Sequence, residues 1–141
     1  MNLDLEQSAG ACHCGRVKFH VKLTDGLRTA RRCTCSFCRM RGAIAVSVNV
    51  GDLRILNGED ALRLYQFNTN TAKHYFCSHC GIYTHHQRRS VPNQYGVNVA
   101  CLEGISPFDF DEVVVLDGVN HPTDGGHAGR VVGMLRFECR G

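Results

Sequence analysis

The fold is decided by residues 12–23, which read Cys12-His13-Cys14-Gly15-Arg16-Val17-Lys18-Phe19-His20-Val21-Lys22-Leu23. The two cysteines at the start are one residue apart, a spacing that suits two ligands of one metal ion better than a disulfide. After them the chain alternates, with Val17, Phe19, Val21 and Leu23 on one face, which predicts a half-buried strand. A cysteine pair beside such a strand predicts a β fold with metal clusters at strand ends and turns.

Two further cysteine clusters follow, so that seven of the nine cysteines are grouped. They are Cys33-Thr34-Cys35-Ser36-Phe37-Cys38 and Cys77-Ser78-His79-Cys80. A Cys-x-Cys pair together with a Cys-x-x-Cys pair supplies four thiolates, which closes a tetrahedral zinc site, whereas three thiolates leave one position open. We therefore expect two zinc ions per chain, one in a structural site and one in an open site.

Each cluster also has a simpler interpretation. The set of four is alternatively a group of buried free thiols or includes a redox Cys-x-x-Cys pair. The set of three is alternatively a thiol cluster in a loop, or a structural site whose fourth ligand is another protein group. A disulfide framework is disfavoured, because nine is an odd number and a reducing compartment keeps thiols reduced.

Other segments of alternating or β-branched apolar residues predict more strands, while helix-period segments of useful length are missing. The predicted strands are residues 44–50, 62–67, 73–76, 95–99, 113–116 and 131–137. Residues 36–41 are expected to form one helical turn, and Asp124-Gly125-Gly126 with His127 predicts a flexible loop. The chain is therefore expected to be one mostly β domain that spans residues 1–141.

Composition and motifs exclude several classes of protein. Hydrophobic residues make up 43% and charged residues 21%, which argues against intrinsic disorder. No apolar run approaches the roughly 18 residues of a membrane-spanning helix, and residues 1–6 lack the pattern of a secretory signal. We therefore expect a soluble, cytoplasmic protein without a membrane partner. Gly-rich phosphate loops, His-Glu-x-x-His and Gly-x-Ser-x-Gly are also missing, which argues against nucleotide hydrolysis and serine hydrolase chemistry.

Basic residues surround the second cluster, and no acidic residue lies between Asp25 and Asp52. The flanking arginines are Arg28, Arg31, Arg32, Arg39 and Arg41. Their charge would offset that of three thiolates on Zn²⁺ and would attract an anionic ligand that bears carboxylates, although each is alternatively a solvated loop residue. The net charge of +3 and the lack of a recognisable nucleic-acid module argue against binding of nucleic acid.

The remaining polar candidates carry weaker signals. His85 and His86 follow the last cysteine cluster, where alternation places one of them inward as a ligand, an acid–base group or a packed histidine. Arg88 and Arg89 with Ser90 form either an anion site or a solvated turn. Cys101 ends an alternating segment, which predicts a buried thiol.

In this order and spacing, the clusters resemble those of the glutathione-dependent formaldehyde-activating enzyme family, which includes centromere protein V-like proteins. The resemblance rests on residues 12–17, 33–43, 75–82 and 97–102, and the matching core covers about residues 10–118. It implies an Mss4-like, zinc-stabilised β fold, with a structural zinc on Cys12, Cys14, Cys77 and Cys80. It also implies an active-site zinc on Cys33, Cys35 and Cys38, and a carbon–sulfur lyase reaction that joins glutathione and formaldehyde.

These observations favour a zinc-binding, carbon–sulfur lyase-like enzyme whose substrate is a small thiol adduct, with glutathione and formaldehyde as first candidates. The main alternative is a non-enzymatic zinc-binding interaction module. In that case the acidic residues 103–117, with Phe108 and Phe110, would offer a partner surface. A zinc ribbon that binds nucleic acid is a third hypothesis, and it predicts an affinity that falls steeply with salt.

Overall fold

The computed structural model describes residues 1–120 and 129–141, and these residues form mostly strands. In chain order the strands are β1 (Gln7–Ala11), β2 (Lys18–Lys22), β3 (Arg31–Cys33), β4 (Ala45–Asn49), β5 (Leu53–Asn57), β6 (Leu62–Tyr65), β7 (Lys73–Cys77), β8 (Tyr83–Gln87), β9 (Gln94–Asn98), β10 (Glu112–Leu116) and β11 (Val131–Arg136). One α-helix, α1 (Ser36–Arg41), follows β3 within the described residues, beside three short 3₁₀ turns. None of the described helices has the length and apolarity needed to cross a bilayer.

The strands form two sheets. The smaller sheet has the antiparallel order β1-β2-β5. The larger sheet has the order β11-β10-β3-β4-β9-β8-β7-β6, and it is antiparallel except where β10 runs parallel to β3. The parallel pair aligns Leu116 with Cys33, so the end of β10 lies beside the start of the second cysteine cluster.

The hydrophobic core combines side chains from both sheets, as the alternating pattern requires. Val17, Phe19 and Val21 around β2 are fully buried, and Leu23 retains only 6% of its exposure. They share one apolar cluster with the fully buried Val46, Val48 and Val97 of the larger sheet and with Val99, which directly follows β9. Because every second residue of a strand points to the same face, each strand buries one apolar face. Removing that apolar area from water stabilises the packing of the two sheets against each other.

The expected mostly β fold is confirmed, and each of the predicted strand segments overlaps an observed strand. Residues 36–41 form the single expected turn of helix, which ends at Gly42 in the left-handed region (φ 72°). Strands β1, β3, β5 and β8 were not predicted. β1 and β5 are the edges of the small sheet and bury few side chains, and β3 has only three residues. In β8 a register shift interrupts the alternation on which the prediction depends. The loop predicted at residues 124–127 lies outside the described residues.

Candidate metal centres and active site

The four-cysteine cluster combines the first and third cysteine groups of the sequence, and it lies where β1 and β7 end. Cys12 and Cys14 follow β1, Cys77 ends β7, and Cys80 follows in the next turn. Their four Sγ atoms lie within 4.8 Å of one another, with Cys14 Sγ 3.6 Å from Cys12 Sγ and 3.7 Å from Cys77 Sγ. Backbone N–H groups of Val17 and His79 donate to the sulfurs of Cys12 and Cys77. Four converging sulfurs can hold a metal ion with no position left open.

The second cluster forms where β3 runs into α1. Cys33 ends β3, Cys35 precedes the helix, and Cys38 lies within it; their Sγ atoms also lie within 4.8 Å of one another. The Cys35 sulfur accepts the Cys38 N–H at 3.2 Å. Hydrogen bonds with the thiols of Cys33 and Cys38 lower the pKa of Cys35, which favours a thiolate in the cluster. Among the described residues no fourth Cys, His, Asp or Glu joins these three, so the group can hold a metal ion with one position open.

The second cluster opens into a pocket with a volume of about 450 Å³. Five arginines line it, namely Arg31, Arg39, Arg41, Arg88 and Arg89, whereas Asp117 is the one acidic residue among its described lining residues. The Asp117 carboxylate accepts the N–H groups of Val119 and Asn120, so it is engaged within its own turn. The pocket is therefore basic beside the three thiols, a setting that favours an anionic ligand.

Arg31 is the most deeply placed of these arginines. Its side chain is 8% exposed and donates to Ser47 Oγ at 2.8 Å and to the Thr29 carbonyl at 3.2 Å. Within the described part of the chain, no carboxylate lies in ion-pair distance of it. Burial, with the neighbouring charge of Arg88, lowers the pKa of Arg31 to about 10, so it remains charged at neutral pH.

A β-bulge shapes the opposite wall of the pocket. Phe76 pairs with Tyr83 and Tyr75 with His85, so Thr84 is an extra residue that shifts the alternation of β8. Tyr83 and His86 consequently face the same side, and Tyr83 Oη lies 2.6 Å from His86 Nδ1. A Cβ on Gly96 would overlap the His86 ring, so glycine is required there. Burial lowers the pKa of His86 well below its usual range, and both side chains are neutral at pH 7.

Comparison with known proteins agrees with this geometry, since residues 7–113 match the family model described as glutathione-dependent formaldehyde-activating enzyme. The chain belongs to this family. It is also similar to a Halomonas elongata protein that is named for the family, with 32% identity over 79 residues. That match spans 50% of this chain and 50% of the relative, so the chain covers about half the relative's length.

A solved structure shares both the fold and much of the sequence. The crystal structure of a Rhodobacter sphaeroides protein is 60% identical to this chain, with a TM-score of 0.75. The match covers 76% of this chain and 98% of that one. The Mss4-like β fold that the family resemblance implied is consistent with the observed sheets and cysteine clusters.

Within this family member, the structure separates the arginines that the sequence had grouped. Arg31, Arg39 and Arg41 line the pocket, but Arg28 forms exposed ion pairs with Asp4 and Asp25 instead. Arg32 is likewise not part of the pocket lining. Arg88, Arg89 and Ser90 belong to the pocket wall. Cys101 belongs to neither cluster, and its thiol donates to the Tyr83 carbonyl at 3.5 Å. It is buried, as the sequence predicted.

His74, Asp117 and Gly118 line the pocket but were not among the candidates from the sequence. His74 lies on β7 opposite His86, and the two rings stack with centroids 5.1 Å apart. Asp117 and Gly118 reach the site because β10 runs parallel to β3. Pairing between distant strands places all three, so no local pattern marks them. The Asp-Gly turn after an apolar strand was the one available signal.

His85 points away from the pocket into the apolar side of β8. It is 5% exposed, stacks on Tyr75 with centroids 4.7 Å apart, and its Nδ1 lies 2.8 Å from Thr84 Oγ1. Burial lowers its pKa to about 4, well below the value of about 6.5 in an unfolded chain. His85 is therefore a packed neutral histidine.

This burial makes the fold sensitive to acid. Below about pH 6.5 His85 is protonated in the unfolded chain, whereas in the folded chain it becomes protonated only near pH 4. The free energy of unfolding therefore falls as the pH falls through this window. Between pH 7.5 and pH 5 the loss due to His85 is about 2 kcal/mol. We expect His85→Gln to reduce the measured fall in unfolding free energy by about that amount in urea titrations at the two pH values. His20→Gln, at a partly exposed position of β2, serves as the control, and an unchanged fall in the His85 variant would contradict the assignment.

Proposed function

We propose that this protein is a zinc-dependent enzyme that joins a small thiol to an aldehyde, with glutathione and formaldehyde as the first candidates. The observation that carries the proposal is the placement of a three-thiol cluster in the wall of an arginine-lined pocket. The reaction forms a carbon–sulfur bond, and its reverse is carbon–sulfur lyase chemistry. The family relationship supports the same substrates.

The residues present fit zinc at both sites. Each cluster offers only sulfur ligands, the donor type found in many zinc sites, and each brings its sulfurs within 4.8 Å. We assign Cys12, Cys14, Cys77 and Cys80 to a structural ion, and Cys33, Cys35 and Cys38 to an ion in the active site. When bound there, zinc would supply a Lewis acid in contact with the pocket.

The arginines of the pocket suit the carboxylates of glutathione. Arg31 and Arg88 both line the pocket beside the cluster, and guanidinium groups bind carboxylates through paired hydrogen bonds. Bringing the thiol and the aldehyde together in one pocket lowers the entropic cost of the bimolecular step. All nine cysteines are free thiols, which suits the proposed cytoplasmic location, where glutathione keeps thiols reduced.

Neutral hydrogen-bonding groups complete the pocket. When the thiol sulfur bonds to the carbonyl carbon, the proton released from the thiol must reach the carbonyl oxygen. Tyr83 and His86 lie in the same pocket, hydrogen-bonded to each other, and we assign to this pair the transfer of that proton.

Adduct exchange measured by NMR tests the proposal. We expect the zinc-loaded protein to accelerate exchange between glutathione and its hydroxymethyl adduct. Cys35→Ser should return the rate to the uncatalysed value, since it removes a central sulfur of the open cluster, whereas Cys139→Ser at an exposed free cysteine should not. Zinc-loaded protein that accelerates no exchange across several thiols and aldehydes would contradict an enzymatic role.

One observation favours the alternative, a non-enzymatic zinc-binding interaction module. Strand β11 lies at an edge of the large sheet, and its apolar side chains stay exposed on both faces, including Val131 (54%) and Leu135 (47%). The prediction of a partner surface at residues 103–117 is wrong in part. Phe108 is 69% exposed, but Phe110 is 4% exposed and belongs to the core. The exchange experiment separates this alternative from catalysis.

A further inference from the structure

Arg41 occupies a defined position between the open cysteine cluster and the pocket wall. Its Nη2 donates to Cys38 Sγ at 3.4 Å, and its Nη1 lies 3.1 Å from His74 Nδ1. The guanidinium carbon lies 3.7 Å from the ring centroid of Tyr83 and 4.6 Å from that of Phe37. Two rings and two hydrogen-bonding groups therefore hold the guanidinium beside the sulfur of Cys38.

The histidine contact leaves the charge of Arg41 available to the cluster. Because a guanidinium only donates, His74 Nδ1 accepts, and the histidine is neutral. Burial, reinforced by the charge of Arg41, lowers the pKa of His74 to about 4, which agrees with that role. Among the described residues no carboxylate lies within ion-pair distance of Arg41. The nearest anionic partner that the described side chains offer is a cysteine sulfur.

Charge balance shows what such a group can do. Three thiolates on a divalent metal carry a net charge of −1, and an anionic sulfur in the open position would raise this to −2. An uncompensated charge of that size is costly in a partly buried site, whereas a water molecule in the same position adds none. A guanidinium is always protonated, so its compensation does not depend on pH in the working range.

We propose that Arg41 is the counter-charge that lets the three-cysteine site accept an anionic sulfur ligand in its open position, and so sets its preference for thiols. This inference rests on the proposed function. Arg31 and Arg88 are assigned a different task, since they also line the pocket but, among the described residues, donate to no cysteine sulfur. They can meet the carboxylates of a ligand there. Thiols with and without carboxylates therefore distinguish the two kinds of arginine.

The protein loaded with two cobalt(II) ions tests the proposal without measuring turnover. Sulfur-to-cobalt charge-transfer absorption reports each added thiolate, and titrations use 2-mercaptoethanol, which has no carboxylate, and glutathione. We expect Arg41→Met to weaken the binding of both thiols by about tenfold or more, which is the effect of losing one charge-assisted hydrogen bond. Arg41→Lys should recover part of the affinity. Arg88→Met should weaken the binding of glutathione but leave the binding of 2-mercaptoethanol unchanged.

Arg39→Met is the matched control, because Arg39 lies on the same helix and lines the same pocket but is exposed and donates to no sulfur among the described residues. Equal affinities for 2-mercaptoethanol in wild type and Arg41→Met, or equal losses of that affinity in Arg39→Met and Arg41→Met, would overturn the inference. Loss of the second cobalt in Arg41→Met would also overturn it and would assign Arg41 to holding the metal. A wild-type spectrum that no thiol changes would instead remove the proposed function itself.

Discussion

Gly118→Ala is expected to abolish metal binding at the three-cysteine cluster while leaving the four-cysteine cluster loaded. A Cβ on residue 118 would overlap the sulfur of Cys33 and lie 2.9 Å from the backbone nitrogen of Cys35. The contact at Cys35 is with backbone, and the Cys33 sulfur can turn aside only by leaving the cluster. The Thr34 N–H donates to the Leu116 carbonyl at 3.1 Å, and Thr34 Oγ1 accepts the Gly118 N–H at 3.0 Å. The turn and the cluster are thus bonded together at the point of the clash.

The expected readout is a metal count. Native mass spectrometry of reduced protein purified without chelator should show two zinc ions in wild type and one in the variant, with loss of adduct exchange. Overpacking costs about 1–3 kcal/mol, so the variant should still fold. Gly133→Ala on β11 is the control, since its Cβ would meet no atom within 4 Å. Two ions in Gly118→Ala would show that the turn does not limit the cluster.

Metal removal is expected to proceed in two steps with very different consequences for stability. The three-cysteine cluster opens into the pocket and offers three ligands, so mild chelation should empty it first, with little change in melting temperature. The four-cysteine cluster includes the buried Cys12 and Cys77 and ties the end of β1 to the end of β7. A structural zinc contributes on the order of 10 kcal/mol to folding, as much as the whole stability of many domains. Removal of the second ion should therefore unfold the chain.

Matched serine variants separate the two sites. Cys77→Ser should lower the melting temperature drastically or prevent folding, because it removes a sulfur that is fully buried in the closed cluster. Cys35→Ser should lose one ion and melt close to wild type, and the exposed Cys139→Ser should change neither quantity. Chelation titrations followed by native mass spectrometry and circular dichroism supply the measurement. Unchanged melting after verified removal of both ions would contradict a structural role for the metal.

Much of the fold could be predicted because its signals are local. The alternation of residues 17–23 follows from the geometry of a strand, and those side chains are buried as expected. Strands β1 and β5 escaped prediction because, as edges of the small sheet, they bury little and carry no clear alternation. Strand β11 was predicted from its apolar residues, yet they remain exposed, because no other described strand pairs with its outer edge.

The sequence by itself determined which neighbouring cysteines can share a metal ion, since a spacing of one or two residues allows both sulfurs to reach it. The sequence also determined the alternating strands that carry these cysteines. The meeting of Cys12 and Cys14 with Cys77 and Cys80 depended on the fold. Only the tertiary structure decided what surrounds each cluster. Parallel pairing of β10 with β3 brings Gly118 against Cys33, and the bulge at Thr84 turns Tyr83 and His86 toward the pocket. Such contacts depend on register between distant strands, which follows from packing of the whole core and leaves no mark in any short stretch of sequence.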